Sequence, residues 1–241
     1  MQNVTMVIAR FNESLSWLDF MPKNINFLIY NKGQELKDEK LISQPNIKII
    51  EKCHNTGRET ETYLRHIVSN YDNLSDIVIF TQGNPLEHNP NFSHLAYGIA
   101  NGEMNQDCMP MSIRWNNELP PQLVLNQSKT PYFIETASRY TLCPIKHWDL
   151  GIHHTHENYC HAHELQPGTD VFHHFCNLIN FSDMSFGKTE TFDFFYSGIF
   201  AVKKQAILKH NLNFYFNCHS ICNKAEVHGF MFERLWWTIF V

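Results

Sequence analysis

Along the first hundred residues, apolar runs and polar stretches take turns. Short apolar runs at 4–9 (VTMVIA), 26–30 (NFLIY), 47–50 (IKII) and 77–80 (IVIF) are bounded by polar or turn residues. That is the pattern of strands buried on both faces of a sheet. Between the third and fourth runs, Tyr63, Leu64, Ile67, Val68 and Tyr71 fall on one stripe and predict a helix over 57–71. Thr56 and Glu59 stand at capping-box spacing at its start. Strands alternating with helices predict an α/β fold, a Rossmann-like, mostly parallel twisted sheet flanked by helices. Ligands of such sheets bind outside the carboxyl ends of the strands. The segments ARFNES, the stretch before Gly57 and TQGNP all fall at those ends.

From 103 to 180 the periodicity loosens and prolines recur at 110, 120, 121, 131, 144 and 167. No long periodic helix is predicted there before GTDVFHHFCNLI. Further on, FYSGIFAV reads as a strand, KKQAILKH as a short helix and 225–240 as a closing, buried helix. The whole reads as a single domain, 1–241, with 103–192 as its variable, substrate-facing part.

Composition supports one well-filled domain: 241 residues, 43% hydrophobic and 14% aromatic. A net charge of −5 with no Lys/Arg-rich stretch argues against a nucleic-acid partner. No basic, apolar, small-residue leader opens the chain, and no run approaches about 18 apolar residues, so neither a secretory signal nor a membrane span is expected. The tail FMFERLWWTIFV allows peripheral membrane contact, with a buried helix as the plainer reading. Seven scattered cysteines are expected to be reduced thiols, and the localisation cytoplasmic.

Several residues carry candidate chemistry. Gly57 and Arg58 open the helix after the third strand, where free N–H groups and the helix dipole favour an anion that Arg58 can clamp. Alone, the segment also reads as a surface helix with Arg58 solvated or paired with Glu59 or Glu61. Arg10, Asn12 and Glu13 follow the first strand and suit hydrogen bonding to a base or ribose, though Asn and Ser are ordinary caps as well. Gly83 and Pro85 force a turn that leaves Gln82, Asn84 and His88 facing the crevice, or simply a structural turn. On the last helix, Glu226 is expected to be free to act as a general base with His228 beside it, whereas Glu233 and Arg234 read as a structural pair. Eight of the fifteen histidines lie between 147 and 174, a composition that suits a transition metal. Yet Cys160, His161 and His163 lack a fourth ligand at a standard spacing.

In order, ARFNESLSWL, YNKG, NTGRETETYLRHIVSNYD, IVIFTQGNPLEH, YSGIFAV and HGFMFERLWWTIF resemble a poorly characterised family related to the GT-A glycosyltransferases. Its members occur in bacterial surface-polysaccharide loci, fungi and large DNA viruses. The resemblance covers residues 4–100 and 193–240. It implies a GT-A-like fold, with 1–100 as the nucleotide-binding half and 193–241 as the closing strand and helices. It also implies a nucleotide-sugar-dependent glycosyltransferase; transfer from a nucleotide-diphosphate donor to a glycan or lipid-linked glycan is expected, by an inverting route, with a retaining one left open. Arg10, Asn12, Glu13, Asn55, Gly57, Arg58, Gln82, Gly83 and Asn84 would contact the donor, His88 the acceptor or sugar, and Glu226 with His228 would carry catalysis. Where GT-A enzymes carry Asp-x-Asp, this chain has amides at 82 and 84, poorer ligands for Mn²⁺ or Mg²⁺ than carboxylates. Either another acid holds such an ion, or Arg58 and helix dipoles stabilise the leaving diphosphate. The alternatives are a non-catalytic nucleotide-sugar or glycan-binding protein and a metallohydrolase built on the histidines.

Overall fold

The computed structural model describes residues 2–112, 142–144, 150–166, 169–181 and 193–241. The four apolar runs become strands β1 (Val4–Arg10), β2 (Ile25–Asn31), β3 (Ile47–Ile50) and β4 (Ile77–Gln82). Two more strands join them, β5 (Cys108–Pro110) and β8 (Phe200–Lys203), in a six-stranded sheet of order β3-β2-β1-β4-β8-β5. The first four strands are mutually parallel. β8 runs antiparallel to both β4 and β5, so it alone is reversed and the sheet is partly antiparallel.

Side-chain parity divides the core into two layers. Val7, Ala9, Val78, Phe80, Phe200 and Val202 point to one face. There they pack under helices α2 (Arg58–Asn70), α7 (Leu212–Cys222) and α8 (Val227–Phe240). Met6, Ile8, Ile77, Ile79 and Ala201 point to the other, against Trp17, Leu18 and helix α3 (Phe92–Ala100). Both faces of β1 and β4 are covered, which is why these strands read as unbroken apolar runs rather than as alternation. The remaining helices are α1 (Glu39–Ile42), α4 (Leu150–Ala162), α5 (Val171–Leu178) and α6 (Lys204–Ile207). A small antiparallel pair, β6 (Leu142–Pro144) with β7 (Asp193–Phe195), leans on α8.

Three expectations need correction. The capping box at Thr56 does not form: Gly57 is the cap, at φ +60°, and Thr56 Oγ1 instead donates to Asn223 Oδ1 at 2.9 Å. FYSGIFAV is not one strand. It is broken by a 3-10 turn, Tyr196–Gly198, in which Ser197 and Gly198 both have positive φ (64° and 57°). Finally, α4 occupies the stretch in which no long helix was predicted. Its buried residues include Thr155, Tyr159 and Cys160, a mixture that gives no clear apolar stripe. Among the described residues, no helix is long and apolar enough to cross a membrane.

Candidate functional site

A cleft of about 790 Å³ opens at the carboxyl ends of β1, β2 and β4. Its lining includes Arg10, Phe11, Glu13, Lys32, Asn55, Gly57, Arg58, Glu59, Gln82 and Glu226. Seven of the predicted site residues therefore meet at one place although they are spread over more than two hundred positions. The sheet explains this, because parallel strands deliver their outgoing loops to the same edge.

The loop after β1 is held from within. Arg10 is buried, and its guanidinium donates to Glu13 O (3.0 Å), Asn31 Oδ1 (2.6 Å) and Gln34 O (2.9 Å). It has no acidic partner within ion-pair distance among the described residues; neutral oxygens meet its charge instead. Glu13 Oε2 accepts from the Phe11 and Asn12 amides at 2.7 and 3.1 Å. Gly83 packs directly on that carboxylate: a Cβ there would lie 2.4 Å from Glu13 Oε2. Asn12 holds the loop after β2, accepting from Gln34 N at 2.9 Å. Asn12, Gly83 and Asn84 thus shape the edge of the cleft without lining it.

The start of α2 faces the cleft without a side-chain cap. Gly57 is required here twice over, by its positive φ and because a Cβ would stand 2.8 Å from both Cys222 Sγ and Glu61 Cβ. Arg58 shares the left-handed conformation (φ 51°), is about half exposed, and lays its guanidinium 4.8 Å over the Phe230 ring. Behind the helix start, Lys32 Nζ bonds Thr56 O and Arg58 O and pairs with Glu61 Oε2 at 2.9 Å. Glu61 is fully buried and also receives Arg65 (2.5 Å) and His219 (3.1 Å). Burial alone would raise the Glu61 pKa. The His219 hydrogen bond, the Lys32 charge and the Arg65 bond bring it down to about 2. Burial pushes the cleft-lining Glu59 carboxyl up instead, opposed by its own backbone N–H and by Arg58.

Beyond Gln82 lies a second polar group. Gln82 Nε2 donates to Ser197 O (2.8 Å), Ser197 N donates to Glu233 Oε1 (2.9 Å), and Ser197 Oγ sits 2.8 Å from His88 Nδ1. Glu233 Oε1 also pairs with Arg234 at 2.7 Å, so the pair read as structural has a further function in gripping the Ser197 turn. Burial lowers the His88 pKa, with the Glu87 and Glu233 charges working against it. His88 and Ser197 are both partly accessible and lie beside the cleft rather than in its lining.

His228 is misplaced by the sequence reading. It is buried with Nδ1 2.7 Å from Ile221 O and Nε2 2.8 Å from His163 Nε2, pointing away from the cleft that Glu226 lines. Of the histidine-rich stretch, His147 lies outside the described residues. Among those described, His174 bonds Tyr159 at 2.8 Å and His156 is 3.2 Å from Thr169 O. No three His, Cys, Asp or Glu side chains among the described residues converge as a metal site requires. The amides at 82 and 84 are turned to protein partners, Asn84 donating to Glu87 at 2.8 Å. The described residues thus give a divalent ion no ligand set.

Lys32, Phe11, Glu59 and Ser197 were missed as site residues. The position of YNKG at the end of β2 was a usable signal for Lys32. Ser197 had none, because its strand was read straight through.

In comparison with known proteins, residues 6–100 match a family described as a protein of unknown function (DUF3431). No curated protein and no solved structure matches the chain.

Proposed function

We propose that this chain is a glycosyltransferase that moves a sugar from a nucleotide-diphosphate donor to a glycan hydroxyl, on a GT-A-like fold. The observation that carries the reading is the cleft wall. A buried guanidinium without an acidic partner, Arg10, faces the same space as the uncapped start of α2 and Arg58. Together these favour a di-anion. The exposed Phe11 ring at the mouth offers an apolar surface beside it.

In the displacement, the acceptor oxygen attacks the anomeric carbon as its bond to the diphosphate breaks, and the electron pair leaves with the phosphate. Arg58 and the α2 amides stabilise that developing charge. The acceptor proton must go to a base. Glu226, exposed on the rim with no side-chain hydrogen bond among the described residues, and His88, beyond Gln82, are the two groups placed to take it. No step is routed through a metal, for which the described residues offer no ligand set.

A thermal-shift panel of UDP, GDP and dTDP with and without Mn²⁺, followed by assay of nucleotide-sugar hydrolysis, tests the reading. Stabilisation by one nucleotide and slow hydrolysis of its sugar conjugates are expected. If none of the three binds, the reading is wrong. The inward-turned amides of Gln82 and Asn84 favour one competing outcome, a nucleotide-sugar-binding protein without turnover, seen as binding with no hydrolysis.

A further inference from the structure

The Ser197 turn is built with more care than a connection between strands needs. Ser197 and Gly198 are consecutive residues in left-handed backbone. For serine this costs about 1–2 kcal/mol and persists only where the surroundings over-determine it. Here they do: Ser197 is gripped at its N–H by Glu233, at its carbonyl by Gln82 and at its hydroxyl by His88. Glu233 is itself fixed by Arg234, whose guanidinium stacks 5.1 Å over Phe194.

Unspent polar groups surround the same turn. Tyr63 Oη and Trp236 Nε1 are fully buried and have no hydrogen-bond partner among the described residues. Gly198 lies between them, since a Cβ on it would meet nothing nearer than Glu233 Cγ and Trp236 Nε1 at 3.9 Å and Tyr63 Cε2 at 4.0 Å. Buried donors left unpaired in this way call for a partner, which a polar group held at the turn would supply. His88 adds a nitrogen to that wall. Its Nδ1 is engaged by Ser197, and its Nε2 has no partner among the described residues.

We infer that the Ser197–Gly198 turn is the acceptor-hydroxyl site of the proposed sugar transfer, with His88 Nε2 as the proton acceptor and Ser197 as the residue that positions it. The inference rests on the donor reading of the adjoining cleft, to which Gln82 links it. The acceptor O–H proton passes to Nε2, the oxygen bonds the anomeric carbon, and the diphosphate departs with the electron pair. For this, Nδ1 must carry the ring proton and donate to Ser197 Oγ. The charged groups that face His88 are Glu87 from its own turn and Glu233 from α8, and both support the imidazolium formed in the step. Glu226 is left with a donor-side role at the rim.

Two measurements test this. Long-range ¹H–¹⁵N spectra of the wild type, with the His88 signals assigned through His88→Gln, are expected to show the Nδ1–H tautomer at neutral pH, and Ser197→Ala is expected to shift it. A Nε2–H tautomer overturns the inference whatever the substrate. Next, hydrolysis of the UDP-, GDP- and dTDP-sugars that the wild type turns over is followed against pH. His88→Gln is expected to lose at least about 100-fold with nucleotide affinity kept. The wild-type rate should rise with pH on an acidic limb that His88→Gln abolishes and Ser197→Ala moves. An unchanged rate and limb in His88→Gln, with the wild type active, defeats this inference and spares the donor reading. A wild type that neither binds nor hydrolyses any of them defeats both.

Discussion

Two buried charge centres flank the cleft, and they are constructed differently. Behind α2, Lys32, Arg65 and His219 close around one carboxylate, that of Glu61. Beyond Gln82, Glu233 and Arg234 pair, yet Ser197, His88, Tyr63 and Trp236 are left with hydrogen-bonding capacity unspent. The first has the form of a scaffold, since its contacts run between side chains of the fold itself. The second has the form of a site. Burial of charge is common to both, so burial alone does not separate structure from chemistry here; the partly accessible His88 ring, bound at one nitrogen only among the described residues, does.

Breaking the closed centre should have the largest effect. Glu61→Ala leaves Lys32 buried without a counter-charge and is expected to cost about 3–5 kcal/mol in urea unfolding. The same carboxylate predicts an acid limb. Its folded pKa, about 2, lies below the ordinary 4.5, so its stabilising effect is full above pH 4.5 and is lost as the pH falls through 2. A stability–pH curve for Glu61→Ala should lack that limb. If it follows the wild type, the closed centre is not holding the fold.

Gly57→Ala touches the closed centre through Glu61 and opens α2 at the cleft. A Cβ at positive φ, 2.8 Å from Cys222 Sγ, is expected to cost about 1–3 kcal/mol and to weaken nucleotide binding as the α2 start is pushed aside. Arg58→Ala should change stability least, within about 0.5 kcal/mol, because the side chain is half exposed. Its nucleotide affinity is nevertheless expected to fall about ten-fold by titration calorimetry, roughly one charge-assisted hydrogen bond. Equal affinity in wild type and Arg58→Ala would remove Arg58 from the proposed phosphate site.

Much of this was legible in the chain, and what was missed has physical reasons. Strands β1 and β4 announced themselves because burial on both faces demands apolar runs, and α2 because Tyr63, Leu64 and Ile67 recur at helical spacing. From those elements the convergence of Arg10, Glu13, Arg58 and Gln82 follows by topology. The start of α2 was misread because Thr56 and Glu59 satisfy a local pattern, while the actual cap is decided by a distant residue, Asn223, that takes the threonine hydroxyl. Ser197 was hidden since a left-handed turn at Ser-Gly within an apolar run looks like strand. His228 was placed by proximity to Glu226 in sequence. On a helix, however, residues two apart point to different faces.

The reversed strand β8 sets the limits of what can be cut from this protein. β4 is paired on one side by β1 and on the other by residues 200–203, which arrive from the far end of the chain. A fragment stopping near residue 100 would keep four parallel strands but leave Ile77–Phe80 as an open, uncharged rim with its amides and carbonyls bare. Such a rim recruits other chains. The first hundred residues are therefore four strands of a six-stranded sheet rather than a portable module, and solubility on truncation is expected to be lost where β8 is lost.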